Sequence, residues 1–118
     1  MSFFDFHVHS HYSRDANMVP DRLIRVALKQ GLRGIAITDH NTIAGGVQAR
    51  KTCGRPFVVV VGAEIRTDAC EIIGLFLTDE ISSTDHLTVI DEPHVRTLAE
   101  RLEICLVKVR AGPCATNR

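Results

Sequence analysis

Short apolar runs alternate with longer amphipathic stretches over the first two-thirds of the chain. Residues 3–8 form a compact apolar run interrupted by one charge, Asp5, and suit a buried strand. Residues 17–30 read as a helix. Pro20 stands near its first turn with Asp21 behind it, Leu23, Val26 and Ala27 mark an apolar face, and Gly31 supplies the stop. Gly34-Ile35-Ala36-Ile37-Thr38 reads as a second strand, apolar on both faces as parallel strands tend to be. A second helix is expected from Asn41 or Thr42, both fair N-caps, to Gly54, with Gly45 and Gly46 weakening it. Phe57-Val58-Val59-Val60-Val61 is the clearest strand in the chain. Residues 71–77 form another, separated from Ile65-Arg66 by a polar turn around Asp68, so the two segments are hairpin candidates.

After Glu92 the pattern changes. Pro93 is placed to open a helix in which Val95, Leu98, Leu102, Cys105 and Val109 make one stripe, and residues 112–118 read as a frayed end. No internal repeat or low-complexity segment is visible. The β-α-β-α-β order predicts an α/β fold with functional groups gathered at the C-terminal ends of the strands.

Composition adds limits rather than direction. The 118 residues amount to one domain, and 45% apolar content is enough for a core. Fourteen basic residues balance fourteen acidic ones, so overall charge favours neither nucleic acid nor an acidic membrane. The balance is uneven along the chain, with 9 basic and 12 acidic residues through Glu92 and 5 and 2 from Pro93 onward. Cys53, Cys70, Cys105 and Cys114 are widely spaced, without a CxxC pair or a zinc-finger rhythm. The N-terminus has no basic and apolar leader, and the longest purely apolar stretch, 57–61, is too short to span a bilayer. The expectation is a soluble, cytoplasmic protein with free thiols and no membrane partner.

The chemistry begins at His7 and His9. Alternate residues on a strand share a face, so this pair sets two imidazoles side by side in a geometry suited to zinc, manganese or iron. Two ordinary histidines are the alternative. Asp15 follows on the same loop, Asp39 and His40 close the second strand, and Glu64 lies just past the valine strand. Three successive strands thus deliver ligand types to one end, which favours metal binding for the set. Ser10 and Ser13 are nearby hydroxyls without an evident base, better suited to bonding backbone or phosphate than to attack. Arg14 is a candidate phosphate contact, set against an ordinary solvated arginine. His11 and His86 are given no role.

Asp5-Phe6-His7-Val8-His9-Ser10 with Tyr12-Ser13-Arg14-Asp15 resembles the first motif of the PHP (polymerase and histidinol phosphatase) family. Gly34-Ile35-Ala36-Ile37-Thr38-Asp39-His40-Asn41-Thr42 is similar to the second, and Val61-Gly62-Ala63-Glu64 to the third. The resemblance implies a distorted seven-stranded (β/α) TIM-like barrel, here partial and incomplete at its C-terminus, with up to three divalent ions of manganese, zinc or iron. It makes His7 and His9 ligands of one metal and Glu64 a bridge to a second. It assigns Asp15 and His40 to a third. Asp39 becomes either a partner that orients an imidazole or a structural hydrogen-bonding group.

The resemblance implies hydrolysis of a phosphate ester by metal-activated water, with no catalytic side chain required. Substrates in such families are small phosphorylated molecules or short oligonucleotides. Complete members supply further histidines in a Pro-His-Pro-like segment and an Asp-x-His pair. This chain has only His94 beyond His86, and Pro93-His94-Val95 comes too early to match. The expected division is therefore residues 1–92 as the N-terminal part of a PHP domain and 93–118 as a divergent tail, produced by truncation or a reading-frame change. Two rival readings are a metal-binding scaffold without turnover and a polymerase-associated proofreading domain.

Overall fold

The computed structural model of the chain describes residues 3–54, 56–66 and 71–80, with the main chain of 105–110. Its elements run β1 (Phe4–Val8), α1 (Pro20–Lys29), β2 (Gly34–His40), α2 (Ala44–Thr52), β3 (Val58–Arg66), β4 (Glu71–Leu75) and β5 (Cys105–Arg110). The five strands form one sheet in sequential order. β1, β2 and β3 are parallel, whereas β4 and β5 each run antiparallel to the strand before.

Alternation of side chains across β2 and β3 decides the layers. Ile35, Ile37 and Val59 pack with Ile24 and Ala27 of α1 and Ala49 of α2. Ala36 and Val60 point the other way, toward Ile73 and Leu75. Both helices therefore cover the same face of the sheet. The fold is mixed α/β, with both described helices on one face of the sheet and a second buried cluster on the other, inner face.

Glycine permits the close approach of α2 to the strands. A β-carbon on Gly45 would collide with Asp39 and the Ser10 hydroxyl, and one on Gly46 would stand 3.1 Å from Val61 Cα. The two residues expected to weaken the helix are thus what lets it pack here. The N-cap position of α2 is Ile43 rather than Asn41 or Thr42, although the Thr42 hydroxyl oxygen accepts the Ala44 N–H at 3.1 Å. The Ile43 N–H donates to Glu80 Oε1 (2.8 Å), and the Thr42 hydroxyl donates to Glu80 Oε2 (2.9 Å), so a distant carboxylate supplies the acceptor.

Three element expectations change. β1 is an edge strand rather than a buried one, with Phe4 and Phe6 43% and 48% exposed, because β2 is its sole sheet neighbour among the described strands. β3 continues from the valine run through Glu64 to Arg66, held by parallel pairing to β2 and antiparallel pairing to β4. The expected hairpin is present, with Arg66 opposite Glu71. Finally, Cys105 and Val109 belong to β5, not to a helical stripe, because 105–110 complete the free edge of β4. Their spacing of four satisfies a two-residue period as readily as a helical turn. The rest of that expected helix, with His86 and His94, lies outside the described residues. Among the described residues no helix is long and apolar enough to cross a membrane. Cys53 is a free thiol.

Candidate metal centre

The C-terminal ends of three parallel strands converge on the inner face. His40 ends β2, and its Cα partner on β3 is Glu64, so the two side chains are neighbours on one face. The histidines of β1 reach that face through a register irregularity. Asp5 pairs with Ile35, but Val8 pairs with Ile37, so β1 spends one more residue than β2 over the same stretch. Val8 consequently packs on the helix side, and its neighbours His7 and His9 turn toward Glu64.

The contacts are close. His7 Nε2 and His9 Nε2 lie 2.8 and 3.0 Å from the same oxygen, Glu64 Oε1. The other nitrogen of His9, Nδ1, lies 3.3 Å from each Asp15 oxygen. His40 Nε2 is 3.1 Å from Asp15 Oδ2. The His9 ring meets those of His7 and His40 edge-on, at centroid separations of 5.2 and 4.5 Å. His9 thus stands between Glu64, which the resemblance makes a bridge from the first metal to a second, and Asp15, which it assigns to a third.

Three donor sets have their ligand atoms within 4.8 Å of one another: His7, His9 and Glu64; His9, Asp15 and His40; and His40, Glu64 and Glu71. Imidazole nitrogen with carboxylate oxygen is a donor chemistry suited to zinc, manganese or iron, so these residues fit a divalent ion. Glu71 was missed from sequence. It opens an antiparallel strand, and a search confined to strand C-termini passes over it, although the hairpin places it beside Arg66 at the same end.

Burial pushes the Glu64 carboxyl up, but hydrogen bonds from Glu71, His7 and His9 and the charge of His40 outweigh it, leaving the group below its ordinary value. Burial likewise opposes ionisation of Asp15. The His40 hydrogen bond, with further pull from His9, again prevails. Both carboxyls are held ready as anions.

Asp39 acts beneath the site. Its carboxylate is fully buried and accepts from the Ser10 N–H, the Ser10 hydroxyl (2.6 Å) and the Ser13 hydroxyl (2.8 Å). The Ser13 oxygen in turn accepts the His40 N–H at 2.9 Å. Its described bonds are to the loop, not to an imidazole, because it points to the α2 side of β2 while His40 points inward. The network fixes the loop carrying His9 and Asp15 to the strand end carrying His40.

An open cleft of about 830 Å³ adjoins the cluster, and Arg14, Asp15, His40, Asn41, Arg66 and Glu71 are among its lining residues. The His11 ring lies beside that of Tyr12 on the exposed loop, with centroids 4.5 Å apart and planes tilted by 49°.

The PHP domain model matches residues 5–108, most of the chain. The chain belongs to the PHP family. The match extends past residue 92, where the expected division follows the end of the motif resemblance and the reversal of charge balance. An uncharacterized protein of Methanocaldococcus jannaschii is 43% identical over 88 residues, covering 65% of this chain and 52% of its own. The PHP chain therefore spans about half the length of that relative. It is also 36% identical to parts of the DNA polymerase III alpha subunit of Treponema pallidum and the error-prone DNA polymerase of Hahella chejuensis. Those matches cover 55% and 54% of this chain but only 6% and 7% of the polymerases.

Among solved structures, a protein of Bifidobacterium adolescentis described as a candidate metal-dependent phosphoesterase superposes with a TM-score of 0.57 at 29% identity. The superposition covers 63% of this chain and 27% of that one. An amidohydrolase of Chromobacterium violaceum, solved with sulfate and no metal, gives 0.55 at 27% identity, over 61% and 27% of the two chains.

Proposed function

We propose that this chain carries the opening half of a distorted β/α barrel whose end binds divalent metal and hydrolyses a phosphate ester. The observation that carries this reading is the convergence of two imidazoles on one Glu64 oxygen, with Asp15 and His40 adjoining through His9. Likeness to a candidate metal-dependent phosphoesterase agrees with it.

His7, His9 and Glu64 would hold one ion, with Asp15 and His40 completing a neighbouring set and Glu71 extending the set around His40 and Glu64. When bound, divalent cations there supply an activated water and neutralise charge growing on a phosphoryl oxygen. The chain's own residues do the rest. Glu64 and Asp15 present ionised oxygens, the Asp39–Ser13 network sets the spacing of His40 from the His9 loop, and the cleft admits a substrate beside them. The substrate is a small phosphorylated molecule or a short oligonucleotide, and manganese, zinc or iron suits the donors equally.

The likeness to two DNA polymerases favours a second reading, in which the unit works as the PHP part of a polymerase-type assembly. The metal chemistry is shared by both. The decisive experiment measures bound metal and manganese-dependent phosphate release for the wild type and for His7→Ala. Metal uptake with release that is lost in the variant supports hydrolysis. Uptake without release from any phosphate ester favours a binding module, and release unaffected by His7→Ala sinks the assignment.

A further inference from the structure

We infer that Arg66 is a phosphate-holding residue of this site, gripping the phosphoryl group of a substrate placed beside Glu64; the inference rests on the phosphoesterase reading above. Arg66 is the last residue of β3 and stands two positions beyond Glu64. A strand repeats its face every second residue, so Arg66 projects from the face that presents Glu64, one step nearer the mouth. It lines the cleft together with Asp15, His40 and Glu71.

Its main chain is fixed there. β2 ends at His40, and Asn41 turns into the left-handed region at φ +56°, a conformation that asparagine tolerates better than most residues. From that turn the Asn41 N–H donates to the Glu64 carbonyl (2.9 Å), while Asn41 Oδ1 accepts the Arg66 N–H (3.1 Å). One residue thus clamps β3 at both Glu64 and Arg66, and holds the arginine in step with the ligand.

Glu71 is the direct cross-strand neighbour of Arg66, and the ligand atoms of Glu71, His40 and Glu64 lie within 4.8 Å of one another. The arginine therefore stands beside a group of candidate metal ligands rather than beside a lone carboxylate. Cations bound at those ligands would repel an arginine one strand step away unless an anion lay between them. A phosphoryl group meets both demands, since its oxygens reach the cations on one side and the planar fork of arginine on the other.

The test is calorimetric titration of inorganic phosphate into the manganese-loaded chain and into the metal-free chain, for wild type, Arg66→Ala, Arg66→Lys and the surface control Arg25→Ala. Manganese content is measured for each. The expected result is wild-type phosphate binding that weakens at least about tenfold in Arg66→Ala, the order expected when a charge-assisted hydrogen bond is lost. Arg66→Lys should recover part of it, and manganese content and Arg25→Ala should stay at wild-type levels. Equal phosphate affinity in wild type and Arg66→Ala overturns the inference while leaving the metal reading intact, as does a wild type that takes up manganese but no phosphate. A wild type that binds no manganese sinks the metal reading separately; Arg66-dependent phosphate binding to the metal-free chain then still supports the role of Arg66.

Discussion

Glu64 draws its properties from residues far away in sequence. Alone, a carboxyl so buried would resist ionisation; here His7, His9 and Glu71 supply enough hydrogen bonding to reverse the tendency. Asp15, though much more exposed, is lowered in the same direction. A carboxyl whose value is lower folded than unfolded binds protons more readily in the unfolded chain. It therefore stabilises the fold above the ordinary carboxylate range, and that contribution fades as pH falls through the folded value. Denaturant unfolding of the metal-free chain should show stability declining on the acid side of that range. The decline should be shallower in Glu64→Gln, and equal slopes in the two proteins would remove Glu64 as a source. The histidines, Asp15 and Glu64 were legible as residues because their types and spacing are rare together. Glu71 and Arg66 were not, since nothing local marks a glutamate that opens a strand or an arginine that ends one.

At the level of elements, the junction of α2 with β2 and β3 is the tightest constraint around the site. Gly45 lies against Asp39 and Ser10, the two residues that hold the His9 loop down. Gly45→Ala should force the carboxylate or the helix to move and cost about 1–3 kcal/mol, the range for inserting a methyl group into packed structure. Thermal melting measures that cost. Metal affinity should fall as well, because Asp39 also anchors Ser13 and through it the His40 main chain. A variant with wild-type melting and wild-type metal affinity would show that the junction has slack. From sequence, the paired glycines read as helix weakeners, which is correct for an isolated helix. Tertiary contact reverses their meaning, because helix α2 approaches the sheet where a side chain would not fit.

For the molecule as a whole, the sheet's first edge is the exposed feature. Phe4 and Phe6 stack with ring centroids 5.9 Å apart and 8° between planes, both close to half exposed on a strand with one described neighbour. An unpaired strand edge carrying aromatic rings is a template for association. The chain should show concentration-dependent self-association in sedimentation velocity, and Phe6→Lys should reduce it. A monomer at every concentration, in both proteins, would show that the edge is protected.

The sequence by itself determined the periods of the first five elements, the presence of a histidine- and carboxylate-rich end, and the three motifs that resemble the PHP family. Those features are local, set by side-chain type and spacing within a few residues. Tertiary structure decided the rest. The extra residue in β1 chose which face His7 and His9 present, the antiparallel return brought Glu71 beside Arg66, and pairing with β4 made a strand of 105–110. Each of these outcomes depends on register between segments distant in the chain. A shift of one residue exchanges the two faces of a strand without altering its local sequence pattern.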